Sequence, residues 1–365
     1  MPDPAAAPPG LDEVLGLVHI LPASSIAYGD AEPIAATVTG AIGPDDAMAR
    51  TLAGLLYDHA YTRRDAAARA AAHAVAQGTV QGAAYGGAPA GAQAGTAGAT
   101  LEDAGFLARL DDANSSRERW DAGWVVHQFG PNGQVFVRKG ERERIAMPGA
   151  FITDPVPGQP PGMAPALGAP VRLRAPRAAP GAQPGYYVVF GETLDELADA
   201  LDLVRLYFNC PADEGPPLLG SLSAALNRFQ VPFQMKLPAA PSLFGRTDAA
   251  VLYLGGRYFP IAARIIAALR AGWRLDTPTP LFARPLWPGI AAAAEPGNGE
   301  SFGAHRCRLT AEGILDAWRA GSADVPARRA AVAARFAAAG LDLARPWLGP
   351  GGIERFHHPE EPRLP

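Results

Sequence analysis

Frequent interruption of regular structure is the first constraint on this chain. Its 365 residues include 41 glycines and 37 prolines, about a fifth of the total, so helices and strands must be short and joined by many loops. Hydrophobic residues still supply 48%, enough for a substantial core, and the length suits two domains or one large one. Charged residues reach only 19% and the formal net charge is −4, so no basic balance points to nucleic acid. Two cysteines, Cys210 and Cys307, cannot build a disulfide framework or a thiolate zinc centre. They read as small buried hydrophobes. No basic-then-apolar leader opens the chain, and the small-residue stretch 66–76, broken by Arg69 and His73, is too weak to span a bilayer. The expectation is a cytoplasmic protein with neither a membrane nor a nucleic-acid partner.

Periodicity then divides the chain. Residues 1–44 read as a flexible N-terminal segment. Residues 45–153 read as a helical and hairpin region. There Met48, Leu52, Leu55 and Leu56 recur at helical spacing, a second helix follows over 62–76, and Gly/Ala/Gln low complexity fills 77–98. The segment Thr100-Leu-Glu-Asp103 restarts a helix with a side-chain cap, that helix ends near Asp111, and the turn Gly130-Pro-Asn-Gly133 joins two β-like runs. Residues 154–184 read as a Pro/Gly-rich loop with one strand near Val171–Leu173. Residues 185–345 form the C-terminal catalytic region, and 346–365 a tail. In the catalytic region Val231–Leu237 alternates, with Phe233, Met235 and Leu237 on one side and Gln234 and Lys236 on the other. The apolar run Ala249–Leu254 has the form of a central strand. Strands mixed with helices, and hairpins as well as crossovers, give an α+β class: a mixed, largely antiparallel sheet with packed helices.

Lysine is almost absent. Of 32 basic residues only Lys139 and Lys236 are lysine. Arginine serves wherever a fixed positive charge suffices, but its guanidinium does not give up a proton as an amine can. A retained lysine is therefore a candidate for amine chemistry. Lys139 sits in an alternating charge run, Arg138 to Arg144, and reads as a solvated hairpin end. Lys236, fixed on a strand face, is the one of interest.

The segment Asn227-Arg-Phe-Gln-Val-Pro-Phe-Gln-Met-Lys236, with Gly245-Arg-Thr-Asp-Ala-Ala-Val-Leu-Tyr253 and Gly299-Glu-Ser-Phe-Gly-Ala-His-Arg-Cys307, resembles the HopA-type effector-like family. That family is first known from bacterial type III effectors and includes lyase subunits of class V lanthipeptide pathways. Trp120–Trp124, Pro148-Gly149, Tyr187–Thr193 and Arg205–Asn209 agree, so the resemblance runs over about residues 45–320. It implies a phosphoserine/phosphothreonine lyase that acts on a phosphorylated precursor peptide and leaves dehydroalanine or dehydrobutyrine. It also implies a partner kinase subunit, a later cyclase, and no cofactor.

Such an elimination needs a base for the Cα proton, a donor for the carbonyl on which charge develops, and cations for the phosphate. Lys236 is the candidate base, on condition that desolvation or nearby positive charge frees its amine; the plain alternative is a structural lysine paired with Asp248 or Glu295. Arg228, Arg246 and Arg306 are the candidate phosphate ligands, since a guanidinium matches two phosphate oxygens; each could equally be a structural or surface arginine. His305, near a probable helix start where an anion is favoured, is the candidate acid, or else an ordinary exposed histidine. Tyr253 and Asn209 could donate to the substrate carbonyl, and Asp248 would orient Arg246. Phosphothreonine lyases among bacterial effectors carry a Lys-x-His pair on one strand. Here Pro238 stands two beyond Lys236, which leaves the acid open between His305, Tyr253 and water, or leaves none, the phosphate departing as a dianion cradled by arginines. A phosphopeptide- or kinase-binding scaffold of the same family is the rival reading. A Schiff-base enzyme built on Lys236 is a weaker one.

Overall fold

A computed structural model describes residues 10–38, 43–64, 102–154, 164–297 and 299–357. The helix expected at 62–76 and the low-complexity stretch 77–98 lie almost wholly outside them.

Within the first forty-four residues, helix α1 (Leu11–Gly16) leads into a small antiparallel sheet of β1 (Val18–Leu21), β2 (Ser25–Tyr28) and β3 (Ile34–Ala35). The segment expected to be flexible is therefore structured where described, because Leu11, Val14, Leu15 and Ile26 bury against the main body. Helix α2 (Pro44–Leu55) carries Asp45 and Asp46 in its first turn, where they favour the helix dipole, and it runs on into a π-helical turn, Leu56–Tyr61. Helix α3 (Ala104–Ala113) begins where Asp103 accepts the Phe106 amide at 2.8 Å.

A five-stranded antiparallel sheet follows, made of β4 (Arg119–Phe129), β5 (Val135–Lys139), β6 (Arg142–Ala146), β7 (Phe151–Thr153) and β8 (Pro170–Ala175) in the order β6-β5-β4-β8-β7. Asn132 (φ 56) and Gly133 (φ 76) make its first turn left-handed, the conformation for which Asn-Gly is preferred. Its own small core is built on Trp124, Val126, Val137 and Val171. Lys139 pairs with Asp121 at 2.5 Å on this sheet.

The principal sheet has seven antiparallel strands in the order β14-β15-β11-β13-β12-β10-β9. They are β9 (Ala178–Gln183), β10 (Tyr186–Phe190), β11 (Leu203–Phe208), β12 (Gln234–Pro238), β13 (Ala250–Gly255), β14 (Arg284–Trp287) and β15 (Ile290–Ala294). Two results depart from the sequence reading. Within the expected loop 154–184 the strand read near Val171–Leu173 is β8, its two apolar residues alternating into the small core, but β9 was not expected and pairs along β10. The alanine run of β15 has low intrinsic strand preference, and its place between β11 and β14 overrides that preference.

Helices cover both faces of this sheet. One face, carrying Leu206, Met235, Leu237 and Leu252, packs on α5 (Gly215–Arg228) and α6 (Phe259–Leu269). The other, carrying Tyr207, Val251, Tyr253 and Ala293, packs on α1, α2, α7 (Phe302–Arg319) and α8 (Val325–Ala338). A short α4 (Leu197–Leu201) lies between β10 and β11, and its capping box uses Glu196 and Asp199. Leu348 and Phe356 are buried in the first core, so the described part of the expected tail is packed. The α+β class is thus the observed one. Among the described residues, no helix is long and apolar enough to cross a membrane.

α7 and α8 meet at Gly313, where an added Cβ would lie 2.6 Å from Val332 Cα and 2.7 Å from its nitrogen. Alanine is intrinsically the better helix former by about 1 kcal/mol, but here it would strike backbone, and overpacking costs about 1–3 kcal/mol. Gly313→Ala is therefore expected to lower the urea midpoint. A raised midpoint would show that the two helices separate freely.

Candidate functional site

Strand alternation sets which residues reach the second face of the seven-stranded sheet. On β11 these are Arg205 and Tyr207, on β13 Val251 and Tyr253, on β12 Lys236, and on β10 Tyr186. Register brings them together: Arg205 stands opposite Tyr253, Tyr207 opposite Val251, and Val251 opposite Lys236. These side chains, with Gln183 from β9, floor a cleft of about 150 Å³. Tyr57 and Tyr61 from the π-helical turn wall it, the loop before β13 supplies Arg246 and Asp248, and Ser301 and Gly303 bring in the first turn of α7.

Arg246 and Asp248 are both buried and form a bidentate pair, Nε to Oδ1 at 2.5 Å and Nη2 to Oδ2 at 2.8 Å. Arg246 also donates from Nη1 to Tyr186 Oη at 3.1 Å and from Nη2 to Tyr57 Oη at 3.3 Å. A guanidinium has five N–H donors. Four are thereby engaged, and one Nη1 hydrogen is left for a ligand. Each phenol uses its oxygen as acceptor for Arg246, so each keeps its O–H proton to offer. The loop is held by Thr247, whose amide donates to the Thr62 carbonyl at 2.8 Å and whose Oγ1 donates to Tyr61 O at 2.9 Å. Arg205 clamps Glu295, with Nη2 to Oε1 at 2.6 Å, and stacks over the Tyr253 ring at 5.2 Å.

Lys236 is half-buried. Its Nζ donates to Gln183 Oε1 at 3.3 Å and lies over the Tyr186 ring, 4.3 Å from the centroid. Among the described residues no carboxylate is within ion-pairing distance of it, so the pairing with Asp248 or Glu295 that a structural lysine would make is not the observed arrangement. Asp248 answers to Arg246, and Glu295 to Arg205.

The phenols divide by environment. Burial pushes Tyr57, Tyr61 and Tyr207 well up, so they stay protonated. Burial would also raise Tyr186, but the Arg246 and Lys236 charges outweigh it and hold that phenol below its ordinary value of 10. For Asp248, burial raises and Arg246 lowers, and the arginine wins, so it remains a carboxylate. The N-terminus of α7 adds partial positive charge at the cleft. It comes this close because Gly303 has no side chain; a Cβ there would sit 2.3 Å from the Tyr61 ring.

Of the residues proposed from sequence, Lys236, Arg246, Asp248 and Tyr253 meet in this cleft. The others are placed elsewhere. Arg228 ends α5, exposed, with its guanidinium 5.9 Å from the Phe229 ring centroid. Arg306 is fully buried and holds the C-terminal segment, donating to Pro346 O and Leu348 O, both at 2.8 Å. His305 is buried beside it, Nδ1 facing Arg306 Nη1 at 2.5 Å, which fixes the proton on Nε2. Asn209 donates to Pro278 O at 2.9 Å and braces a loop. These four do not line the cleft, so phosphate ligation by Arg228 or Arg306 and acid catalysis by His305 are not what the geometry offers. Tyr57, Tyr61, Tyr186, Arg205, Tyr207, Gln183, Ser301 and Gly303 were not anticipated. A signal was present for Arg205 and Tyr207, polar positions alternating through an otherwise apolar strand. Among the described residues no group of three or more His, Cys, Asp or Glu is placed to hold a metal ion.

Taken together, the fold and the cleft define an α+β protein with a small polar cleft on one face of an antiparallel sheet. Residues 177–348 match the HopA1 effector protein family, and the HopA-type resemblance read from the motifs is borne out over this stretch. It includes all the cleft residues except Tyr57 and Tyr61, while the motifs at Trp120–Trp124 and Pro148-Gly149 fall outside it. Two solved structures are similar, effector proteins from Pseudomonas syringae pv. tomato strain DC3000 and from Pseudomonas syringae pv. syringae strain 61. Identities are 24% and 17% and TM-scores 0.35 and 0.33. Each match covers 45% of this chain and 62% of the other, so the chain spans under two thirds of their length. No curated protein matches.

Burial, then the Arg306 charge, lowers His305 from its ordinary 6.5 to about 4. Between those values the unfolded chain takes up a proton that the folded chain refuses, so stability falls as pH drops through that window. His305→Gln should flatten the fall in urea midpoint between pH 6.5 and 5. Equal slopes for the variant and the parent would assign the loss to other groups.

Proposed function

We propose that this protein is a phosphoserine/phosphothreonine lyase. It would remove phosphate from a ribosomal precursor peptide by β-elimination, leaving dehydroalanine or dehydrobutyrine for lanthipeptide ring closure. The observation that carries the reading is the convergence of Lys236, one uncommitted Arg246 N–H, two phenol O–H groups and the first turn of α7 on a single small cleft. Its volume of about 150 Å³ is below the roughly 300–1,000 Å³ of sites for drug-sized ligands. It suits the side chain of a phosphorylated residue while the peptide backbone stays at the mouth. The HopA1-type match supports the reading through the resemblance of that family to lanthipeptide lyases.

In this mechanism Arg246, Tyr57 and the α7 N-terminus hold the phosphate oxygens. Lys236, as the free amine, takes the Cα proton. The C–H electron pair becomes the Cα=Cβ bond, and the Cβ–O pair leaves on phosphate. Tyr186 replaces His305 as the proton donor, passing its O–H proton to the departing oxygen. The phenolate so formed faces Arg246 and the newly charged Lys236, which suits it electrostatically. Return of the proton from Lys236 to Tyr186 resets the pair, and the atoms balance as peptide phosphate ester to alkene plus hydrogen phosphate. A kinase subunit would supply the ester, and a cyclase would consume the alkene.

The test is incubation with a phosphothreonine peptide, following phosphate release and thiol trapping of the product. Elimination gives a thiol-reactive alkene. Hydrolysis, which restores a hydroxyl, would overturn the proposal, and binding without any mass change would favour the phosphopeptide scaffold. Lys236→Arg keeps the charge but removes the base, so kcat should fall by at least about 10²-fold while peptide affinity persists. Normal turnover in that variant would exclude Lys236 as base.

Tyr186 must hold its proton to act as acid. Activity should therefore decline as pH rises through a midpoint below 10, the ordinary phenol value. Tyr186→Phe should lose that alkaline limb along with most of its rate. An unchanged limb in the residual activity would move the acid role to another group.

A further inference from the structure

A second cavity, of about 340 Å³, adjoins the cleft and shares Tyr57 and Ser301 with it. It lies between the end of α2 and the first turn of α7, lined otherwise by Ala53, Gly54, Asp58 and Ala304. Three of these four are Ala or Gly, so the space is left by what their side chains lack, and an added Cβ at Gly54 would meet nothing within 4 Å. The one carboxylate present, Asp58, is already matched by Arg64 at 2.6 Å, so the wall carries no unanswered charge calling for a basic ligand. The Tyr57 side chain is common to both spaces. Its hydroxyl accepts from Arg246 in the cleft, and it belongs also to the wall of the second cavity.

We infer that this cavity is a substrate subsite for an apolar side chain within two positions of the phosphorylated residue in the peptide. The inference rests on the cleft being the phosphopeptide site. A phosphorylated side chain in the cleft leaves its backbone at the mouth, and successive Cα atoms lie about 3.8 Å apart. In an extended peptide, side chains two apart project from the same face, about 6.6 Å on. The next space on the protein across the shared Tyr57 ring is therefore within reach of a neighbouring side chain. Its small neutral lining selects aliphatic or aromatic over charged residues. Ser301 contributes to both spaces, so the α7 N-terminus positions phosphate and neighbour together.

The experiment compares phosphothreonine peptides carrying Gly, Ala, Val or Leu at each position from −2 to +2, with N-acetyl phosphothreonine N-methylamide as the reference that reaches only the cleft. For the parent protein, kcat/KM is expected to rise roughly tenfold or more from Gly to Leu at one of those positions. In Gly54→Leu, which fills the cavity from an exposed helix position, the Leu-over-Gly preference should collapse to within about twofold, each rate taken relative to the reference compound. A flat series in the parent, or a preference that survives Gly54→Leu, overturns the subsite. If peptides bind without elimination, the same comparison is made on Kd by fluorescence anisotropy, and the subsite is judged apart from the lyase reading. If no phosphopeptide binds, both fall.

Discussion

The arrangement of the cleft depends on the buried pair Arg246–Asp248. Two opposite charges taken out of water cost several kcal/mol each unless their hydrogen-bonding capacity is met. Here it is met nearly in full, by the carboxylate and by two phenol oxygens. Loss of either partner would leave a bare buried charge, at about 3–5 kcal/mol. The pair also has a directional effect. By occupying the acceptor side of Tyr57 and Tyr186, the guanidinium turns both O–H groups outward as donors, so a structural ion pair presents neutral donors to whatever enters.

This differs from a site in which several arginines grip a phosphate directly. Arg205 and Arg246 each already own a carboxylate, so their charge is largely cancelled at the cleft. What positive character the resting cleft keeps comes from the end of α7, and on the proposed reading Lys236 becomes charged only on taking the substrate proton. On the proposed reading such a pocket would favour an anion without gripping it through several free cations, and it would place the base beside a polarised phenol. In the proposed chemistry that adjacency matters more than the number of cations.

Much of this was legible in the sequence, and the reasons are local. Lys236 stood out through the scarcity of lysine and through clean alternation in β12, and the structure keeps Phe233, Met235 and Leu237 on the opposite side in the core. Arg246 and Asp248 were legible because the pair lies two residues apart, just before a recognisably buried strand. What was illegible depends on long-range register. Nothing local tells Tyr57 that it will wall the cleft with Tyr186 from far along the chain. Nor does it tell Arg306 that two backbone carbonyls of the C-terminal segment will claim its guanidinium. His305 was a candidate acid from its place near a helix start and Arg306 a candidate phosphate ligand from its guanidinium, and both are held inside the structure instead. β15 was hidden by its alanines, whose strand conformation comes from neighbours on both sides.

Alternation on the antiparallel sheet also bears on how such a cleft could diversify. One residue inserted ahead of Met235 in β12 would rotate Met235 toward the cleft and send Lys236 into the apolar interior, removing the proposed base. The floor can therefore drift only by replacement at fixed positions. The parts free to lengthen or shorten over evolutionary time are the rim segments leading to Tyr57 and Ser301, and those same segments enclose the neighbouring cavity. If the proposed reading holds, relatives with this floor share its reaction and differ in which peptides they accept.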